Sequence, residues 1–242
     1  MLRKISFNQM QSIIEKNANV LDLMKDLFNY KDTLLHRVIR YKKTYIKAKI
    51  FINNFKKIEP KNISLNPNIS IKFPSSLDNI SFLAMMELQA LDTSFSVYEL
   101  IKKTLSITCF EANYKANYDS DSYLFKEFHK RISETSAYDV MGLFNHISKI
   151  KDKGDKFWQT KFLEVQVIDN DYLEAGGNML NNYNIINSIK NTCADFNVSE
   201  KEAWQMSFGK IQTSSLEKAT RAYVQNNMTK IKESRMKQNK NL

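Results

Sequence analysis

Apolar residues recur at helical spacing through most of the chain, and the interruptions mark out its elements. Within residues 5–58, Ile13, Ile14, Leu21, Met24, Leu27 and Phe28 form one series. Leu34, Leu35, Val38, Tyr41, Tyr45, Ala48, Ile52 and Phe55 form a second. Two helices are predicted, broken near Asn29 to Asp32. Residues 59–76 contain all three prolines. Each turns the residue before it away from helix, so a linker is predicted there. Inside it Ile69, Ile71 and Phe73 alternate with Ser70 and Lys72, a short strand-like crossing.

Beyond the linker the pattern returns to helix and turn. Asp78 is the predicted cap of a helix over ISFLAMMELQAL, and Thr93 or Ser94 of one ending near Ser106. A polar loop, EANYKANYDSDS, follows. Asp119 or Ser120 then caps YLFKEFHKRI, and Ser136 caps AYDVMGLFNHISKI. Gly154 falls in a predicted turn over 151–155 ahead of FWQTKFLEVQVI, where Val165 to Ile168 reads as helix. Gly176 and Gly177 break the chain before a helix at about 181–194. Ser199 and Glu202 stand in the order S-x-x-E, a capping box, with Val198 ahead as a staple. A last helix is predicted from about Glu200 into the 230s. Its apolar positions thin toward Lys230, Lys232, Arg235, Lys237 and Lys240, so its end should leave the body.

No repeat of fixed period is visible. Short connections favour antiparallel helical neighbours. The fold expected is mainly α. A basic helical arm over 1–58 leads into the proline-bearing linker over 59–76. A helical bundle over 77–194 and a long capped C-terminal helix with a basic tail over 195–242 complete it.

Composition supports this reading. The chain has 242 residues, long enough to bury a sizeable core, with only five glycines and three prolines. That is too few for the many tight turns of a sandwich or barrel. No window approaches 18 consecutive apolar residues, so no membrane span is expected. Asn8, Gln9, Gln11 and Ser12 interrupt any signal-like apolar stretch near the start.

Residues able to carry chemistry are sparse. Cys109 and Cys193 have no paired spacing and read as free thiols, which fits a reducing compartment. His129 and His146 fall on separate predicted helices without a second ligand at i+3 or i+4, so a zinc site is not expected. Cys109 with either histidine could form a nucleophile and base only if the fold brought them together. Asp119 and Asp121, like Asp169 and Asp171, open as calcium loops do. Lys130 and Leu180, however, stand where the closing acid belongs, so both read as turn or cap acids. Gly176 and Gly177 lack the pattern of a phosphate loop. No catalytic residue, metal or cofactor is expected, and no enzyme.

Charge is the remaining signal. Thirty-six Lys and Arg against 26 Asp and Glu give a net charge of +10. Residues 37–57 carry Arg37, Arg40, Lys43 and Lys47 interleaved with Tyr41, Tyr45, Phe51 and Phe55. Arg40, Lys43 and Lys47 lie on one helical face. Such a surface would attract nucleic acid. A solvated lysine face over core aromatics is the reading favoured over it, since lysine greatly outnumbers arginine, and acidic protein neighbours in an assembly are a third.

Two stretches, LDNISFLAMMELQAL (77–91) and VSEKEAWQMSFGKIQTSSLEKA (198–219), resemble proteins of tailed bacteriophages. Small helical tail, connector-ring and baseplate-hub proteins share a helical middle with a segment such as DVMGLFNHI and a late helix opening on E-A-W. The Asn, Lys and Ile usage is similar to that of phages of Bacteroidota, including the crAss-like group. The likeness spans residues 69–225. It implies a virion structural or assembly protein, put together in the host cytoplasm, that packs against its own copies and other phage structural proteins. Arg37, Arg40, Lys43, Lys47, Trp204, Met206 and Phe208 are the interaction residues expected. The alternative is a DNA-binding or DNA-packaging accessory protein using the basic residues 37–57.

Overall fold

The computed structural model describes residues 6–15, 63–91, 94–166 and 183–240. The chain is mainly α-helical, and the described residues hold eight α-helices: α1 (Phe7–Glu15), α2 (Phe82–Gln89), α3 (Val97–Tyr114), α4 (Tyr123–Glu134), α5 (Ala137–Glu164), α6 (Asn184–Phe196), α7 (Glu200–Gln205) and α8 (Phe208–Lys240). They fall into two compact units. The first takes Met1–Phe73 with Leu91–Lys149, the second Pro74–Ala90 with Ile150–Leu242. This division cuts across the single bundle expected over 77–194, because α2 belongs to the second unit while α3 and α4, which follow it, belong to the first. Periodicity identifies a helix but not the partner that covers it.

The first unit is built on the α3–α4 hairpin. Ser96 Oγ accepts from the Glu99 amide and starts α3, in place of the Thr93 or Ser94 cap expected. The helix runs past Ser106 to Tyr114, taking in four residues of the anticipated loop. Asn113, a poor helix former in isolation, is held there. Its Nδ2 donates to the Cys109 and Lys72 carbonyls at 2.7 Å, and its Oδ1 accepts from the Lys72 amide at 3.1 Å. Lys115, at φ 50°, closes the helix in the left-handed region. Ser122, rather than Asp119 or Ser120, caps α4 through the Phe125 amide. Asp119 instead turns the loop by accepting from the Asp121 amide at 2.9 Å. Buried Tyr118 folds this loop back onto Phe110 and Phe125.

The strand-like crossing forms no strand among the described residues. Its alternation survives as burial, with Ile71 inside and Ser70 and Lys72 outside. Its backbone, however, is satisfied by side chains. Asn145 donates to the Ile63 carbonyl at 2.9 Å and Arg131 to that of Ser70 at 3.2 Å, beside the Asn113 bonds to Lys72. Side-chain amides thus do the work a neighbouring strand would have done.

The start of the expected N-terminal arm does not stand free. Ser6 and Gln9 form a capping box that the sequence reading did not use: Ser6 N donates to Gln9 Oε1 at 2.9 Å and Gln9 N to Ser6 Oγ at 3.2 Å. Phe7 and Met10 are buried, and the Phe7 amide donates to the Thr135 carbonyl at 2.9 Å. Residues 16–62, which hold the rest of the arm, lie outside the described residues.

Ser136 caps α5 as predicted, accepting from the Asp139 amide. The turn predicted at Gly154 is absent. A single 28-residue helix continues through it. One glycine costs a helix only about 1 kcal/mol, and the Lys151–Asp155 ion pair spans the position.

In the second unit Ser76 caps a 3-10 turn, Leu77–Asn79, and Ser81 caps α2. Asp78 is not the α2 cap because its carboxylate is engaged elsewhere. It accepts from Trp158 Nε1 at 2.8 Å and from Ser76 Oγ at 3.0 Å. Asn197, at φ 51°, ends α6, and the Ser199–Glu202 capping box opens α7 as predicted. The single last helix expected from Glu200 is instead two. The break at Met206 and Ser207 turns the backbone outward to pair with Ser81: Phe82 N donates to the Met206 carbonyl and Phe208 N to the Ile80 carbonyl, both at 2.8 Å. Asp195 then ties α6 to α8 through Ser214 Oγ and Lys218 Nζ, each at 2.7 Å.

Candidate functional site

Arg37, Arg40, Lys43 and Lys47 lie outside the described residues. Trp204, Met206 and Phe208 come together in the second unit around Phe82. The Phe82 ring centroid is 5.5 Å from that of Trp204 and 6.3 Å from that of Phe208, the latter pair stacked. Phe208 is buried, Trp204 and Met206 half-buried. These three residues therefore form the joint between α2, α7 and α8. Sequence spacing could not reveal this, because Phe82 lies more than a hundred residues away.

Cys109, His129 and His146 are not gathered around a common partner. Cys109 is enclosed in α3, and burial pushes its thiol up to about 12, so it is protonated at neutral pH. His146 sits edge-on to Phe73 at 5.0 Å. His129 belongs to a polar cluster between α3 and α4 that the sequence reading missed. Its Nδ1 is 2.9 Å from Ser106 Oγ and its Nε2 3.4 Å from Glu99 Oε1, while Lys102 Nζ reaches Glu99 Oε2 at 2.6 Å. Glu99, Lys102 and Ser106 stand at i, i+3 and i+7, one face of α3, the signal that could have found it.

The cluster has the members of a serine–histidine–acid triad but not its accessibility. Ser106 is wholly buried and its hydroxyl is 2.8 Å from the Lys102 carbonyl one turn back. A nucleophile must meet substrate; this hydroxyl meets its own helix. The cluster fastens α4 to α3. Burial holds the His129 pKa below the ordinary 6.5, aided by Lys102 and Lys103 and opposed by Glu99. Burial pushes Glu99 up, but the hydrogen bond and charge of Lys102, with His129 and Lys103, outweigh it and leave the carboxyl below its ordinary range.

The histidine shift has a thermodynamic consequence. A group whose folded pKa is depressed binds fewer protons folded than unfolded, so acidification through its unfolded value favours unfolding. The urea midpoint of the wild-type chain is expected to fall between pH 7.5 and pH 5.5. That fall should be smaller in His129→Gln, as read by circular dichroism at both pH values. An equal fall in the two proteins would refute the assignment.

Metal-holding clusters of three or more His, Cys, Asp or Glu are absent among the described residues. None of the described helices is long and apolar enough to cross a membrane.

Two surface features of the second unit went unnoticed in the sequence. Gln159, Phe162, Leu163 and Val165 on one side and Ala219 and Ala222 on the other line an apolar groove of about 550 Å³. Further along α8, Val224, Met228 and Ile231 are 47–52% exposed at i, i+4 and i+7, a continuous apolar stripe. Tyr223 and Met236 flank it, and the exposed Arg221, Lys230, Lys232 and Arg235 border it. The chain matches no protein-family model, no curated protein and no solved structure.

Proposed function

We propose that the chain is a non-enzymatic structural or assembly protein of a tailed-phage virion, a component of the tail, connector ring or baseplate. It works by helix packing against its own copies and against neighbouring virion proteins. The observation that carries this reading is the α8 stripe. Val224, Met228 and Ile231 lie on the outer half of a 33-residue helix whose first turns alone are engaged in the second unit's core. Apolar side chains arranged in register on an exposed helix are the usual form of a helix-docking surface. The flanking cations would steer the approach and fix the register, favouring a neighbour with an acidic border. The resemblance of residues 69–225 to phage tail, ring and baseplate-hub proteins agrees with this.

The test is assembly in solution. Full-length wild-type chain at rising concentration is expected to give a molar mass by light scattering above that of one chain. Val224→Asp combined with Ile231→Asp is expected to return it to the single-chain mass with the far-UV circular dichroism spectrum kept, since both side chains are already exposed. A molar mass equal in the two proteins would exclude the α8 face as the assembling surface.

A further inference from the structure

The exposed stripe on α8 belongs to a longer seam. Arg221, Val224, Met228, Ile231 and Arg235 stand at i, i+3, i+7, i+10 and i+14, the alternation of three and four that keeps one face of a helix toward a partner. The two arginines close the seam at its ends, and Lys232 runs alongside. Glu233, the only acid between Arg221 and Met236, falls on the opposite side of the helix. Arg221 is paired with Glu217 one turn back, whereas Lys232 and Arg235 have no ion-pair partner among the described residues.

This arrangement opposes the pairing of α8 with α8. Arg221 and Arg235 lie seven residues either side of Met228. In an antiparallel pair centred there, Arg221 of one copy would face Arg235 of the other; in a parallel pair each would face itself. Like charges facing one another across a seam weaken association and select against that partner. The one carboxylate at hand, Glu217, already serves Arg221. The seam therefore calls for a surface that offers apolar side chains among free carboxylates.

The start of α4 has this character. Tyr123 is 78% exposed and Leu124 41%. Asp119 and Asp121 precede them, and Glu127 follows one turn on, between the two on the helix face. All three carboxylates are exposed, and none is ion-paired among the described residues. Lys126 lies on the far side of Tyr123, away from Leu124. Other exposed apolar side chains are set among cations or spent acids. Phe95 lies under Lys103 Nζ at 3.7 Å. Phe157 has Lys153 and Lys161 one turn away on its own face, and Glu164 beside Leu163 is held by Lys161.

We infer that the α8 seam of one copy docks on the Tyr123–Leu124 patch of a second copy, with Lys232 and Arg235 against Asp121 and Glu127. The inference rests on the assembly reading above and names the surface that receives α8. Seam and patch are different parts of the same chain, so the contact runs head to tail. Each copy gives one seam and receives another, and the contact can continue from copy to copy.

The experiment uses full-length chains and substitutes exposed side chains only. In the patch variant, Asp121→Lys and Glu127→Lys reverse the acidic border; Asp119 stays, because its carboxylate turns the loop. In the seam variant, Lys232→Glu and Arg235→Glu reverse the basic border. Each variant alone is expected at the single-chain mass by light scattering, with its far-UV circular dichroism spectrum kept, since its seam and patch now carry the same sign. An equimolar mixture of the two is expected to recover a mass above that of one chain, because every seam again meets a patch of opposite sign. A patch variant that assembles as the wild type does, or a mixture that stays at the single-chain mass, would overturn this docking. The assembly reading would then still stand on the loss of mass in the chain carrying Val224→Asp and Ile231→Asp. Wild-type chains that stay single at every concentration would remove both.

Discussion

Phe110→Ala should cost the first unit about 4 kcal/mol, within the range measured for emptying a buried aromatic site. Phe110 is 1% exposed, one turn before the C-terminal end of α3. Its ring centroid lies 5.3 Å from Tyr114, 6.1 Å from Tyr118, 5.6 Å from Phe125 and 6.3 Å from Phe128. Those four rings come from α3, the connecting loop and α4, so Phe110 packs against every part of the hairpin. Its removal leaves a void ringed by rigid planar groups, which collapse poorly and forfeit their mutual edge contacts. The decisive comparison is the urea midpoint against that of Phe157→Ala, a phenylalanine that is half-exposed in the other unit. The expected loss for Phe157→Ala is under 1 kcal/mol, and equal losses would deny the cluster its role.

Gly142→Ala should cost about 3 kcal/mol although it adds a single methyl group. A Cβ at this position would stand 2.5 Å from the Ser64 carbonyl oxygen, 3.1 Å from its carbon and 3.3 Å from Leu65 Cα. The obstacle is backbone, so no rotamer change relieves it. The segment carrying Ser64 is pinned on either side by Asn145 to the Ile63 carbonyl and by Asn66 Nδ2 to Asp139 Oδ1 at 2.8 Å. Either α5 or that segment must shift, the situation in which overpacking is most expensive. Gly154→Ala is the control. Nothing lies within 4 Å of a Cβ there, and the gain in helix propensity should stabilise α5 by up to about 1 kcal/mol. Thermal unfolding of the two variants is expected to move in opposite directions; a shift of the same sign would contradict the packing described at Ser64.

What could be read in advance was what is local. The Ser199–Glu202 box and the Ser136 cap depend on residues three apart, and both form as their spacing predicts. The helical class follows from periodicity and from the scarcity of glycine and proline. Errors arose wherever a distant residue chose between local alternatives. Asp78 and Ser81 were both plausible caps until Trp158, eighty residues away, took the carboxylate. The capped helix from Glu200 was expected to run on through Met206 and Ser207, but the backbone of Ile80 and Phe82 breaks it there. Asn113 looked like loop and is helix because Lys72 needs it. The interleaving of the two units could not be read from a fixed period because each unit is assembled from separated stretches of chain. Within the candidate site, Trp204, Met206 and Phe208 do come together, but around Phe82 as a joint. The exposed stripe on α8 was overlooked because its apolar residues are few and surrounded by lysine.

We propose that this chain acts as a repeated building block whose surfaces, rather than a reactive centre, do its work. If the proposed virion role holds, quantitative mass spectrometry of purified tailed-phage particles that carry this chain's gene tests it most directly. The account predicts tryptic peptides from both units at a fixed multiple of copies per particle, retained after high-salt washing. Peptides abundant in infected-cell lysate but missing from the purified particles would contradict it.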